Sequence, residues 1–160
     1  MCYCRSADCA SSQVACNGAG GVPPASLVEM TLNGGDNRNT DFYDISLVDG
    51  FNLPLSVTPQ GAGSGCQSAS CGADVNSVCP AKLSAKGSDG NTIACKSACA
   101  AFSQPKYCCT GQFKSTATCQ PTYYSKIFKN ACPQAYTYAH DDNNTLSCPT
   151  GANYLITFCS

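Results

Sequence analysis

At 160 residues the chain has room for one domain with a real core, or one domain with a satellite. A net charge of -1, only 12% charged residues and no run of Lys or Arg exclude a polyanion-binding protein. No apolar run is long enough to span a bilayer. Fifteen cysteines point to a disulfide framework made in an oxidising compartment. Zinc would need paired Cys-x2-Cys knuckles, usually with histidine. The chain has His140 alone, in a polar turn, and no such knuckle, so neither a metal nor a cofactor is expected. An odd count leaves at least one thiol without a partner in the chain. Met1 is followed at once by Cys2-Tyr3-Cys4, which is not a signal peptide.

Taken in order, residues Cys4 to Cys16 form a tight cysteine cluster in which a Cys9–Cys16 bridge would close a short loop. Asn17 to Gly20 and Pro23-Pro24 read as loop. Leu27 to Leu32 reads as a short strand carrying Glu29, and Gly34 to Thr40 is turn-rich. The stretch from Asp41 to Pro59 organises the rest. Its first half mixes Ile45, Leu47 and Val48 with the carboxylates Asp41, Asp44 and Asp49. Asp49-Gly50 is a hairpin-type turn signal. Beyond it Phe51, Leu53, Leu55 and Val57 alternate with polar neighbours, the period of a half-buried strand. Pro54 cannot donate to a ladder, which predicts an edge or bulged strand. Residues 59–65 are a Gly/Ser-rich link.

Nine cysteines lie between Cys66 and Cys132. Cys95, Cys99 and Phe102 have helical spacing, with Pro105 as the stop, and Tyr124, Ile127, Phe128 and Ala131 give a second helical stripe ending before Pro133. Both helices are too short to stand alone in water, so disulfides must hold them. Asn143-Asn144-Thr145 is a glycosylation sequon, which implies an exposed loop at Asn143. Tyr154, Ile156 and Phe158 alternate in a final strand. The chain is therefore mainly β, with residues 66–148 as a disulfide-rich satellite with short helices; the resemblance given next implies that residues 1–65 and 149–160 form a partial β-sandwich.

Several runs resemble the thaumatin-like proteins, pathogenesis-related family five of plants. Asp8, Gln13 and Cys16 match the family's cysteine motif, with Ser6 in place of its Thr. Asn-Gly-Ala-Gly with Pro23-Pro24 matches another run, and Asp-Phe-Tyr-Asp-Ile-Ser-Leu-Val-Asp a third. The glycines that precede the first motif are absent, so the resemblance implies an N-terminally truncated member. The pairing it implies is Cys9–Cys16, Cys66–Cys148, Cys71–Cys132, Cys79–Cys95, Cys99–Cys108 and Cys109–Cys119, leaving Cys2, Cys4 and Cys159 as unpaired candidates.

The resemblance also implies an acidic cleft lined by one Arg, one Glu and three Asp. Glu29, Asp44 and Asp49 match that set, and Asp141 after Tyr138 matches its last member, with Asp142 as the alternative. The Arg has no counterpart here, so mutual repulsion is expected to raise at least one carboxyl pKa. Glu29 and Asp44 are the candidate catalytic pair. In a glycosidase their separation would decide the outcome, ~5 Å for retention and ~6.5–9.5 Å for inversion. In a binding module the same acids would accept hydrogen bonds from sugar hydroxyls. The implied function is antifungal plant defence, secreted or vacuolar, with β-1,3-glucan or a fungal cell-wall polysaccharide as partner. Hydrolysis would be weak or absent, at most that of a weak endo-β-1,3-glucanase. The alternative is a structural or stress protein, or an inhibitor, without carbohydrate activity.

Overall fold

A computed structural model describes residues 7–9, 15–34, 39–61, 65–141 and 144–159. Cys2, Cys4, Ser6, Gln13, Asp142 and Asn143, singled out above, lie outside those ranges. Period-two patterning builds the first sheet. Strands β1 (Leu27–Gly34) and β2 (Thr40–Ser46) run antiparallel, with Val28 opposite Ile45, Glu29 opposite Asp44 and Met30 opposite Tyr43. Val28, Met30, Tyr43 and Ile45 point into the core, so Glu29 and Asp44 share the opposite face.

A second sheet is antiparallel throughout, in the order β4 (Ala69–Cys71), β3 (Leu55–Gln60), β9 (Asn153–Phe158). A small hairpin, β5 (Ser84–Lys86) with β6 (Thr92–Cys95), stands apart. Two further strands complete the first sheet along β2. β7 (Ala135–Tyr136) runs parallel to its end, and β8 (Leu146–Pro149) antiparallel to its start. One hydrophobic cluster joins Tyr43 and Ile45 of the first sheet to Leu55 and Val57 of the second, with Phe51, Val75, Leu83 and Phe128.

The helices are short, and their ends are chemically specified. α1 (Ala98–Phe102) starts at Ser97, whose Oγ accepts from Ala100 N at 3.1 Å, and ends where Ser103 turns left-handed. α2 (Pro105–Cys108) has proline at its first position, where the missing N–H would be unpaired anyway. α3 (Tyr123–Ala131) opens on a capping box between Thr122 and Ser125 and buries Phe128. Six disulfides tie these pieces together: Cys9–Cys16, Cys66–Cys148, Cys71–Cys132, Cys79–Cys95, Cys99–Cys108 and Cys109–Cys119. These are the pairs the resemblance implies. Cys159 carries a free, exposed thiol among the described residues.

Four local expectations are corrected. Asp49-Gly50 does not make a hairpin, since β2 and β3 belong to different sheets. The turn closes from Gly50 N to Leu47 O at 2.9 Å, and Phe51 then exchanges two backbone bonds with Cys95. Gly50 itself has φ +106°, and a Cβ there would lie 2.6 Å from Cys95 O. The strand begins at Leu55, not Phe51, and Leu53 is 41% exposed. Ser26 is the reason: it exchanges bonds with Asn52, and its Oγ donates to Leu53 O, so residues 52 and 53 are satisfied outside any ladder. β3 is central in its sheet, with Pro54 just before it, where the proline carbonyl accepts from Cys159 N. Finally, Cys95 ends a strand instead of starting a helix, and Pro105 starts α2 instead of merely stopping α1.

Candidate functional site

The acids separate into three settings. Glu29 and Asp44 are register partners on adjacent strands, so their side chains leave the same face side by side. Glu29 is exposed and Asp44 half-buried. Asp44 Oδ1 is buried and has no hydrogen-bond partner among the described residues. Burial first, then the neighbouring Glu29 charge and hydrogen bonding with the Glu29 side chain, push the Asp44 carboxyl up to about 6. A pair of this kind holds a proton at mildly acidic pH and offers carboxylate oxygens as hydrogen-bond acceptors at neutral pH.

Asp49 is exposed in the turn after β2. It lines a cavity of about 160 Å³ between that turn and the helices, with Ser97, Lys106, Tyr107, Tyr124 and Tyr138 among the other lining residues. Asp141 is buried and occupied. Its Oδ2 accepts from Thr137 N at 2.9 Å, Thr137 Oγ1 at 2.8 Å and Lys129 Nζ at 3.1 Å, and its Oδ1 lies 3.1 Å from the same ammonium. Lys129 also donates to Ala135 O, so this cluster anchors α3 to the start of β7. None of the hydrogen bonds or ion pairs of Asp141 reaches Glu29, Asp44 or Asp49. The structure thus pairs Glu29 with Asp44 across two strands, places Asp49 at the cavity beside the helices and ties Asp141 to Lys129 and Thr137.

A fourth acid, Asp41, acts on the fold. Its Oδ1 accepts from Asn33 N at 2.8 Å and Thr150 Oγ1 at 3.1 Å, and its Oδ2 from Tyr154 OH at 3.0 Å. The Asn33 N–H holds its carboxyl below the usual value against the opposing effect of burial, with help from Tyr154 and Thr150. In return, burial and then the Asp41 acceptor push the Tyr154 phenol up to about 12. Asp49 aside, the cavity walls were not read from the sequence as parts of a site. The available signal was tyrosine crowding, since five of the eight tyrosines fall between Tyr107 and Tyr138.

No helix among the described residues is long and apolar enough to cross a membrane, and no cluster of His, Cys, Asp or Glu there has the arrangement of a metal site. Residues 1–160 match the Thaumatin family. The chain is 60% identical to thaumatin-like protein 1 of Pyrus pyrifolia over 157 residues, which is 98% of this chain and 64% of that protein. It is 58% identical to thaumatin-like protein 1 of Castanea sativa, over 98% of this chain and 64% of that relative. A Prunus avium protein named glucan endo-1,3-beta-glucosidase is also 58% identical, over 98% of this chain and 63% of its own length. The chain spans about 64% of the length of the curated relatives it matches.

Proposed function

This chain belongs to the thaumatin family, and from that premise we propose that it is a secreted or vacuolar plant defence protein that binds β-1,3-glucan of fungal cell walls at Glu29 and Asp44. The observation that carries this reading is the cross-strand register of the two acids, with the buried, unpartnered Oδ1 of Asp44. Both carboxyls leave one sheet face from adjacent strands, where facing Cβ atoms are roughly 4.5–5.5 Å apart. A glycosidase instead sets its two carboxyls on either side of the scissile bond. Side-by-side acids favour hydrogen bonding to vicinal hydroxyls over bond cleavage, so hydrolysis is weak or absent. Asp49 extends the acidic surface.

Endo-β-1,3-glucanase activity is the second reading, supported by the name of the Prunus avium relative. There Asp44, with its carboxyl near 6, would be the proton donor. One paired assay separates the two readings. Sedimentation with insoluble β-1,3-glucan should deplete the protein from solution, and Glu29→Gln and Asp44→Asn should each weaken that depletion. Little reducing sugar should be released. Failure to sediment ends the binding proposal, and steady sugar release abolished by Asp44→Asn establishes the enzyme.

A further inference from the structure

We propose that β9 is the contact surface of a two-fold dimer, in which it pairs antiparallel with β9 of a second copy of this chain. Among the described residues β9 is the end strand of the second sheet. Cys159 N donates to Pro54 O, in register with the rungs that run from Leu55–Phe158 to Gln60–Asn153. Along an antiparallel ladder the backbone groups turn alternately towards and away from the neighbouring strand. The N–H and C=O groups of Tyr154, Ile156 and Phe158 therefore point out of the open edge, where a further strand can bind them.

The side chains favour such a strand. Tyr154, Ile156 and Phe158 stand opposite Pro59, Val57 and Leu55, so they share the face on which Val57 and Leu55 are buried. Tyr154 packs on Tyr43, with ring centroids 5.2 Å apart. Beyond it, Ile156 is 38% exposed and Phe158 59%. The core side of the sheet is thus bare at its β9 end. In the two-fold register that sets Ile156 opposite the partner's Ile156, Tyr154 falls opposite the partner's Phe158. Apolar groups then meet apolar groups on the core side.

Charge selects a second copy as the occupant. β9 carries no charged residue, so no like charges face each other across the axis, and no Lys or Pro blunts this edge. A net charge of -1 for the whole chain adds little repulsion at long range. β1, the edge of the first sheet, carries Glu29 beside Asp44, and self-pairing there would gather the acids of both copies. At the far edge of the second sheet, Gln134 Oε1 accepts from Ser70 N at 3.0 Å and occupies β4. Growth of this sheet therefore stops at a pair, which is a closed two-fold assembly.

The test begins with sedimentation velocity of full-chain Cys159→Ser over a range of concentrations, which removes bridging through the free thiol. A reversible dimer is expected. Ile156→Lys sets two ammonium groups against each other at the axis and should weaken it at least tenfold. The register has its own test in Asn153→Cys with Cys159 retained. The introduced thiol would face the partner's Cys159 across a non-hydrogen-bonded rung, with Cα atoms about 4.5 Å apart, within reach of a disulfide. The two Cys159 thiols would stand roughly 20 Å apart. Oxidation should therefore trap Asn153→Cys as a covalent dimer, with peptide mapping placing the bridge between positions 153 and 159. A chain that stays monomeric at every concentration overturns the proposal, because its edge is then covered from within or left open. So does a mapped bridge from Cys159 to Cys159, or an Ile156→Lys protein with native near-ultraviolet circular dichroism that dimerises like the parent. If Ile156→Lys does not fold, the mapped bridge decides.

Discussion

Ionising Asp44 works against folding, and the sign follows from its raised pKa. The carboxyl titrates near 3.8 when unperturbed and about 6 in the fold. Its stabilising contribution is full below 3.8 and is lost as pH rises through about 6. Asp44→Asn should therefore raise the melting temperature at pH 7.5 and change it little at pH 3.5. Because the side chain is only half-buried, solvent screening reduces the gain to about 1 kcal/mol. Thermal melts of both proteins at the two pH values measure it, and an equal effect at both rules out the titration. At this scale the sequence showed that acids cluster near β2, since their residue types and spacing are local. It did not distinguish their roles. Asp41, Asp44 and Asp49 look alike in a run of letters, yet Asp41 ties strands together, Asp44 faces Glu29 and Asp49 lines a cavity. Those differences depend on partners such as Thr150 and Tyr154, more than 100 residues away.

Elements with an uninterrupted period were legible. β1 stands where a short apolar run places it, α3 where helical spacing does and β9 where alternation does. Elements whose ends are set by a distant partner were not. The alternation from Phe51 to Val57 is real, but Ser26 captures residues 52 and 53 and delays the strand to Leu55. Cys95 has helical spacing to Cys99, but its backbone is taken by Phe51. Strand pairing also links 66–148 to the rest of the chain: β4 and β7 lie within it, β8 straddles its end, and they pair with β3 and β2. For α3 the capping box implies a definite expectation. Thr122→Ala removes the acceptor for Ser125 N and should cost about 1 kcal/mol. Denaturant titration reads the change, and a loss below measurement error would show that packing of Phe128 alone sets the helix.

For the whole molecule, covalent links carry much of the stability. Six bridges at roughly 2–4 kcal/mol each are together comparable with the roughly 5–15 kcal/mol of net stability usual for a domain, or larger. Reduction is therefore expected to abolish the cooperative melt followed by near-ultraviolet circular dichroism, and a reduced chain that still melts cooperatively would overturn this. The bonds of Asp41 have a further consequence, in time. Its carboxylate waits for Thr150 and Tyr154, which leave the ribosome 109 and 113 residues after it. At about 5–20 residues per second that delay is roughly 5–20 s. During that interval the near-neighbour cysteines, Cys99 with Cys108 and Cys109 with Cys119, are free to oxidise, while Cys66 has no Cys148 to meet. In an oxidising compartment the small loops can therefore close before the bonds from Asp41 to Thr150 and Tyr154 can form.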